Sequence, residues 1–316
     1  MNYDVTALGE LLIDLTQNGM SEQGNPILEA NPGGAPCNVL ACLSKMGHKA
    51  AFIGKVGKDG FGEQLTKGLV ETGIDTTGLM YDESVHTTLA VVHTYADGDR
   101  DFSFYRNLGA DMMLRPEEVN EDIIRNSRIF HFGSLSMTDE PCRSAHLHAL
   151  QVAEEAGVLR SYDPNLRPPL WPNLDVAKEN ILALMAHCDI LKISDNEIQW
   201  LSGKEDYDEG IAWLRGQFDI PLIFLTLGKD GSRAYCGDVR TEQPGFKMNT
   251  IETTGAGDTF FGSVLHHILT KGFRSYTKEE LDEMLRFANA AAAIVTTRRG
   301  ALRVMPSAEE IAEVLA

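Results

Sequence analysis

At residues 253–260 the chain reads Thr253-Thr254-Gly255-Ala256-Gly257-Asp258-Thr259-Phe260. Apolar residues then recur at helical spacing as far as Leu269, so we expect a helix to begin near Gly257. Its first turn has free backbone N–H groups and the positive end of the helix dipole, and the two glycines let an anion approach the main chain closely. The stretch therefore predicts a phosphate site at the start of a helix.

Asp258 lies beside this predicted anion site. A carboxylate there would repel the anion, so its presence suggests a role in the reaction. The helix dipole favours its ionised form, and an ionised carboxylate can accept the proton of an attacking hydroxyl in phosphoryl transfer. Asp258 is therefore a candidate general base. The alternative interpretation is an aspartate that caps the helix after a glycine-rich turn.

Composition narrows the class of protein. The 316 residues are 43% hydrophobic, which is enough for a substantial core, and we expect residues 1–316 to form a single domain. The sequence has no apolar run long enough to cross a bilayer and no signal-peptide pattern at its start, and its five cysteines lack metal-type spacing, so a cytoplasmic location is expected. The net charge of −18 disfavours nucleic acid and membranes as partners.

Short apolar runs alternate with helix-like stretches along most of the chain. Runs typical of buried strands lie at residues 5–8, 50–53, 128–132, 158–162, 190–193 and 222–226. Helical patterns include residues 37–46, 62–72, 145–156 and 207–217. The alternation predicts an α/β fold of three layers, in which helices cover both faces of a mainly parallel sheet. Capping boxes at Thr277 with Glu280 and at Ser307 with Glu310 predict two late helices.

Two segments interrupt this alternation. Residues 87–95 and 101–106 are extended runs around Ala96-Asp97-Gly98-Asp99-Arg100, a strong hairpin signal. Residues 15–32 are polar and contain turn-forming glycine and proline. Together, residues 15–32 and 87–106 predict a small β lid that excludes water from a transferring phosphoryl group. The same surface could also form the contact between two copies of the chain.

Polar residues follow several of the predicted strands, where open α/β sheets bind their ligands. Glycine pairs permit close ligand approach, and an asparagine offers both a donor and an acceptor to a polyol. These residues predict a polar, hydroxyl-rich substrate, although Asp14 and Asn38 taken singly are more often helix caps. The candidates are Asp14, Gly33, Gly34, Asn38, Asn165 and Arg167.

A nucleotide site is expected after the next two strands. Ser194-Asp195-Asn196-Glu197 supplies two carboxylates that could hold Mg²⁺ through water, while helix capping is the alternative and fits Asp195 well. Residues 226–231 form a turn that could carry a nucleotide or could be a plain hairpin. A P-loop is excluded because Lys58 is followed by Asp59, and a dinucleotide fingerprint is excluded by Phe260.

With both glycine motifs in order, Gly33 to Asn38 and Thr253 to Phe260, the chain resembles the ribokinase-like (PfkB) carbohydrate kinases over nearly its whole length. Within that family it looks most like the bacterial fructokinases. The resemblance implies transfer of the ATP γ-phosphoryl group to a sugar hydroxyl, which converts fructose into fructose 6-phosphate. Mg²⁺ and K⁺ are the expected cofactors, and the expected assembly is a homodimer formed through the lid. The alternatives are a 2-keto-3-deoxygluconate kinase of the same family and a non-catalytic sugar- or nucleoside-binding regulator, which would not need Asp258.

The resemblance also implies residue roles. Asp258 would be the catalytic base, and Gly255, Ala256 and Gly257 would form the anion hole. Sugar contacts would come from Asp14, Gly33, Gly34, Asn38, Arg106, Asn165 and Arg167. ATP contacts would come from Ser194, Glu197, Thr226, Gly228, Gly231 and Asn289, with Glu197 reaching Mg²⁺ through water. A monovalent-cation loop would use, mostly by backbone, Glu252, Thr254, Val295, Arg298 and Gly300. The chain departs from the family pattern at Ser194, where many members have asparagine, and at Glu252, where aspartate is common.

Overall fold

A computed structural model of the protein describes residues 2–94 and 100–316. Its strands are β1 (Tyr3–Leu8), β2 (Leu12–Met20), β3 (Pro26–Gly33), β4 (Ala50–Gly57), β5 (Ile74–Asp82), β6 (Leu89–Thr94), β7 (Arg100–Tyr105), β8 (Ser127–Gly133), β9 (Leu159–Asp163), β10 (Ile190–Ser194), β11 (Leu222–Thr226), β12 (Ser232–Cys236) and β13 (Val239–Gln243). Its α-helices are α1 (Ala35–Lys45), α2 (Gly60–Glu71), α3 (Glu121–Arg125), α4 (Cys142–Glu155), α5 (Leu174–Met185), α6 (Asp195–Ser202), α7 (Tyr207–Arg215), α8 (Ala256–Lys271), α9 (Lys278–Val295) and α10 (Ala308–Leu315). None of the helices in the described part of the chain is long and apolar enough to cross a membrane.

Nine strands form the central sheet, in the order β13-β12-β11-β10-β9-β8-β1-β4-β5. Neighbours are parallel from β11 to β5, and only β12 runs against its two neighbours at one edge. The six predicted strand runs all lie in this sheet, so the mainly parallel α/β architecture is confirmed. Because parallel strands share an orientation, their carboxyl ends meet along one edge, where ligands bind.

Both faces of the sheet are buried, which explains why the strand runs are apolar throughout instead of alternating. In β4, Phe52 packs into one hydrophobic cluster with α1, α8 and α9, while the adjacent Ile53 packs into a second cluster with α4, α5 and α7. Both side chains are fully buried. Helices on each face of one sheet give the expected three layers.

Helices α1 and α8 pack in close contact. Gly262 of α8 lies against Cys42 of α1, where a methyl group on Gly262 would be 2.7 Å from the Cys42 Cβ atom. The Cys42 thiol also contacts the carbonyl oxygen of Thr259, 3.5 Å away. These two helices begin at the two glycine motifs, so their close packing brings the motifs together.

A separate four-stranded sheet has the order β3-β2-β6-β7. The segment 15–32 lies within the antiparallel β2–β3 pair, and β6 and β7 flank the second excursion, with β2 parallel to β6. Residues 95–99, which include most of the expected turn from Ala96, lie outside the described residues. The two excursions thus join into one small sheet, as the lid prediction requires.

Helix starts follow local capping chemistry. The capping boxes at Thr277 and Ser307 are confirmed, and α8 begins at Ala256, one residue before the expected start. The alternative interpretation of Asp195, that it caps the helix, is wrong. Ser194 caps α6 because its backbone is extended, at φ −87 and ψ 162, while Asp195 is already helical and Glu197 completes a capping box.

Candidate active site

Two cavities meet at the N-terminus of α8. The first has a volume of about 260 Å³ and the second a volume of about 390 Å³. Lys192, Thr253 and Gly257 line both cavities. A molecule bound in one cavity would therefore meet a molecule bound in the other at the first turn of this helix.

Asp258 lies in that first turn and lines the first cavity. The Asn38 side-chain amide donates a hydrogen bond to its Oδ2 atom over 2.8 Å. Burial raises the pKa of Asp258 above its usual value, although the Asn38 hydrogen bond and the charges of Lys192 and Arg167 oppose that rise. The carboxylate is thus held in a fixed orientation toward the cavity, as a proton acceptor must be.

Asn38 is 3% exposed and also lines the first cavity. Its amide nitrogen is used by Asp258, but its Oδ1 atom is buried and has no hydrogen-bond partner. A buried acceptor without a donor is costly, and a hydroxyl group of a bound ligand would satisfy it. The orphaned oxygen therefore supports the expectation of a hydroxyl-rich ligand.

The glycines of the first motif make room for other groups. Gly34 has φ +126, and a methyl group there would lie 2.4 Å from the Glu10 carbonyl oxygen. Gly33 does not line the first cavity, but a methyl group there would lie 2.1 Å from the Asp14 carboxylate, which does. Of the other predicted sugar-binding residues, Asn165 and Arg167 line the cavity.

Arg106 does not line the first cavity but lines a neighbouring one, and Phe104 lines both. The contact of Arg106 with sugar stays a prediction. Its guanidinium donates to the Asp111 carboxylate over 2.7 Å, to the Thr138 hydroxyl over 2.9 Å and to the Leu135 carbonyl oxygen over 3.2 Å. The side chain is 6% exposed. Arg106 directly follows β7, so these hydrogen bonds anchor the end of the four-stranded sheet to the turns that follow it.

Sequence reasoning missed two charged residues that line the first cavity. Glu10 accepts a hydrogen bond from the Ala35 backbone N–H over 2.9 Å, and burial raises its pKa to about 7. Lys192 pairs with Asp163 at 3.0 Å and is 6% exposed. The signal for Lys192 is visible in the sequence, since it is a charged residue inside the apolar run 190–193.

The second cavity contains most of the predicted nucleotide residues. Its lining includes Ser194, Thr226, Gly228, Gly231 and Asn289. The Asn289 amide donates to the carbonyl oxygens of Gln243 and Pro244 over 3.1 and 3.2 Å, and its oxygen accepts from the Ser232 hydroxyl over 2.8 Å. Asn289 therefore shapes the cavity wall by holding the chain after β13. The turn after β11 joins two antiparallel strands, so the hairpin interpretation of residues 226–231 is confirmed. The same turn lines the cavity, and its contact with a nucleotide stays a prediction.

Glu197 is placed beside the second cavity and not in its lining. Its Oε1 atom accepts from the Leu166 N–H over 2.8 Å, and its Oε2 atom accepts from the Ser194 N–H and hydroxyl, each over 2.9 Å. No group of three or more His, Cys, Asp or Glu side chains in the described ranges could hold a metal ion. Because both oxygens of Glu197 already accept hydrogen bonds, Glu197 would reach a Mg²⁺ ion through water, as predicted from the sequence.

Glu252 ties together the two segments of the predicted cation loop. Its carboxylate accepts from the Thr254 hydroxyl over 2.6 Å and from the Gly300 N–H over 3.0 Å. The Arg298 side chain turns away to the Val304 carbonyl oxygen, 2.8 Å distant, and to Glu310. Arg298 could therefore bind a cation in this loop only through its backbone, as predicted from the sequence.

The fold and the site define a class of protein. Two cavities that meet at a helix N-terminus, with a carboxylate oriented on one side, belong to a kinase that phosphorylates a small polar molecule. More specifically, the chain belongs to the pfkB family of carbohydrate kinases, whose family model matches residues 2–308.

Individual relatives agree with this assignment. The chain is 43% identical to a probable fructokinase-2 of Arabidopsis thaliana, covering 96% of this chain and 93% of that one. It superposes with a TM-score of 0.89 on a fructokinase from Xylella fastidiosa with bound ATP, at 29% identity and covering 99% and 98% of the two chains. A fructokinase from Vibrio cholerae O395 with bound fructose, ADP and calcium ion gives a TM-score of 0.88 at 26% identity, with 100% of both chains covered. The family resemblance and the fold are thus confirmed.

Proposed function

We propose that this protein is a fructokinase that transfers the γ-phosphoryl group of ATP to the 6-hydroxyl of fructose. The observation that carries the proposal is the Asn38–Asp258 pair, joined over 2.8 Å in the first cavity beside Gly257, which lines both cavities. A regulator that only binds sugar would need no carboxylate at this point. The similarity to fructokinases from a plant and from bacteria supports the choice of sugar.

In this proposal fructose occupies the first cavity and ATP the second. Asn38 Oδ1 accepts a hydrogen bond from a sugar hydroxyl, and Asp14 and Asn165 contact further hydroxyls. The nucleotide lies along Thr226, Gly228 and Gly231. The whole chain would act as one kinase domain, with the β2–β3 and β6–β7 strands as its lid.

Asp258 takes the proton of the attacking hydroxyl, and the backbone N–H groups of Gly255 to Gly257 receive the charge of the transferring group. Mg²⁺ brought with ATP would offset charge on the phosphate oxygens, and Ser194, Asp195 and Glu197 would hold it through water. Because proton loss is late in a loose transition state, a carboxylate is a strong enough base.

The charge of the first cavity favours a neutral sugar over a keto acid. A substrate carboxylate would be bound best by paired guanidinium groups, but Arg106 is bonded to Asp111 and only Arg167 of the two candidates lines the cavity. Asp14 and Asp258 add negative charge to the same lining, and the charge of Lys192 there is paired with Asp163. A second anion beside ATP is therefore disfavoured.

The test is a kinase assay with ATP and Mg²⁺ over fructose, glucose, ribose, 2-keto-3-deoxygluconate and adenosine. We expect the highest kcat/KM for fructose, and we expect Arg167→Lys to raise KM for fructose only a few-fold, because no bidentate carboxylate pair is lost. A higher kcat/KM for 2-keto-3-deoxygluconate that Arg167→Lys abolishes would replace fructose by the keto acid.

Repeating the assay in sodium and potassium salts tests the cation loop. Equal rates in both would remove potassium from the proposal.

We also propose a homodimer formed through the lid, in a reducing compartment such as the cytoplasm. All five cysteines are buried and free, as suits that compartment. The lid sheet exposes Met20 at 56%, Ile27 at 47% and Leu28 at 44%, a concentration of apolar side chains that a partner would cover.

Light scattering should therefore give twice the chain mass, and Leu28→Lys should shift the protein toward the monomer. Leu147→Lys is the matched control, since Leu147 is 43% exposed but lies on α4, away from the lid. A wild-type monomer at micromolar concentration would contradict the dimer without affecting the kinase assignment.

A further inference from the structure

Lys192 has an unusual position for a charged residue. It lies in the middle of β10, a strand that is buried on both faces, and it is 6% exposed. Its Nζ atom is 3.0 and 3.1 Å from the two carboxylate oxygens of Asp163 at the end of the adjacent β9. The same side chain lines both the first and the second cavity.

A purely structural role does not account for this placement. A buried ion pair is rarely more stable than a pair of well-packed apolar side chains of similar size, because both charges lose their hydration. An ammonium group also has three N–H donors, and within the described residues the hydrogen bonds of Lys192 go to the single carboxylate of Asp163. The remaining donor capacity is available at the junction of the two cavities.

The neighbouring glycine preserves access to that ammonium group. A methyl group on Gly257 would lie 3.1 Å from the Lys192 Nζ atom, so a larger residue would press on it. Gly257 belongs to the first turn of α8, whose backbone N–H groups point toward the same region. The ammonium group and the helix N-terminus therefore face one space from two sides.

The local charges keep Lys192 protonated. Burial alone would lower its pKa, but the carboxylates of Asp163, Glu197 and Asp258 outweigh that effect and raise the pKa above its usual value. A phosphoryl group that enters beside these carboxylates would be repelled without a fixed cation. Lys192 is the charged group that both cavities share.

We propose that Lys192 is a catalytic residue that binds the phosphoryl group during its transfer between the cavities, and that Asp163 is the residue that positions it. The inference rests on the proposed kinase function. In the step, the bond from the γ-phosphorus to the β–γ bridging oxygen breaks and its electron pair leaves with ADP. The sugar hydroxyl oxygen forms the new bond to phosphorus, and its proton passes to Asp258. Lys192 keeps its protons throughout and stabilises the charge on the transferring oxygens.

The first variant to measure is Lys192→Met, which keeps the length of the side chain and removes its charge. Because this change leaves Asp163 buried and unpaired, the double variant Asp163→Asn/Lys192→Met provides a second test with no uncompensated charge. Both should lower kcat by at least about a hundredfold, as the loss of a preorganised charge at a transition state does. KM for sugar and for ATP should stay within about threefold, because the group acts mainly in the transition state.

Lys55→Met is the matched control. Lys55 is 5% exposed in β4 and pairs with Glu118 at 2.8 Å, but it lines neither of the two cavities. The Lys55→Met variant should be less stable than the wild type and should keep its kcat. A comparable fall in kcat for Lys55→Met would show that any buried lysine has this effect, and would overturn the inference.

A binding measurement gives a readout that a structural role would not change. Calorimetry with ADP alone should give similar affinities for the wild type and both Lys192 variants. ADP with aluminium fluoride and fructose, which mimics the transferring group, should bind the wild type more tightly than ADP does, and this gain should be lost in the variants. Retention of the gain, or a kcat within about fivefold of the wild type in a folded variant, would overturn the role of Lys192.

The wild-type sugar panel decides the proposed function separately. Should another sugar prove to be the preferred acceptor, fructose fails as the substrate. The variants are then compared on that sugar, and the same ratio of kcat values decides the role of Lys192.

Discussion

Replacing Asp258 with asparagine should lower kcat by about a hundredfold or more while leaving the affinities for fructose and ATP nearly intact. The substitution keeps the shape of the side chain and its contact with the Asn38 amide group, which lies 2.8 Å from the carboxylate in the wild type. It removes the only function an amide cannot supply, which is to accept a proton from the attacking hydroxyl.

The same variant should not be less stable than the wild type at neutral pH. Burial raises the pKa of Asp258 in the folded protein. Folding therefore disfavours the ionised carboxylate, and this cost is present above the folded pKa and disappears below the unfolded pKa. The asparagine variant carries no such cost, so its melting temperature should equal or exceed that of the wild type at pH 7 to 8.

The raised pKa also predicts the acid limb of the wild-type rate. Since the base must be ionised, kcat/KM should fall as the pH drops through the folded pKa of Asp258, at a higher pH than for an ordinary carboxylate. Asp175→Asn is the control, because Asp175 also lies in the first turn of a helix, α5, but is exposed. Near-normal turnover of a folded Asp258→Asn protein would exclude the base role.

Replacing Gly255 with alanine should also abolish most of the turnover, by at least about a hundredfold, because it distorts the backbone that receives the transferring charge. Gly255 is the residue before α8 and has a left-handed backbone, with φ +77 and ψ 0. A methyl group there would lie 2.8 Å from the Cβ atom of Ala301. The left-handed conformation alone costs an alanine about 1–2 kcal/mol, and the contact with Ala301 adds to that cost.

Gly203→Ala separates these two contributions. Gly203 ends α6 with φ 69 and ψ 17, close to the conformation of Gly255, and a methyl group there meets nothing within 4 Å. The Gly203→Ala variant should be destabilised by a similar backbone cost, measured by thermal unfolding, and should retain its kcat. If Gly255→Ala keeps kcat within about threefold of the wild type, the backbone at Gly255 is not part of the anion site.

The sequence was informative wherever the deciding pattern is local. An apolar run of four or five residues, as at 190–193, predicts a strand, and a Ser or Thr followed three residues later by Glu predicts a helix start, as at Thr277 and Ser307. The glycine-rich stretch before α8 belongs to the same category. In each case neighbouring residues determine the backbone conformation without help from distant parts of the chain.

Local sequence patterns do not predict which partners a buried charged residue contacts. The partners of Arg106, Asp111 and Thr138, are set by the three-dimensional arrangement of β7 with the turns that follow it. Lys192 was overlooked, because its importance depends on two cavities that only the folded sheet creates. Sequence patterns predict which residues are buried, whereas the geometry decides what each buried charge faces.

The close packing of α1 against α8 has a consequence for synthesis on the ribosome. Asn38 and Asp258 are 220 residues apart in the chain, and they meet where α1 and α8 pack together at Cys42 and Gly262. The centre of the sheet can assemble from early strands, yet the substrate pocket cannot close until the last quarter of the chain has emerged. Substrates that bind only the finished pocket therefore stabilise the complete protein and give no help to its nascent forms.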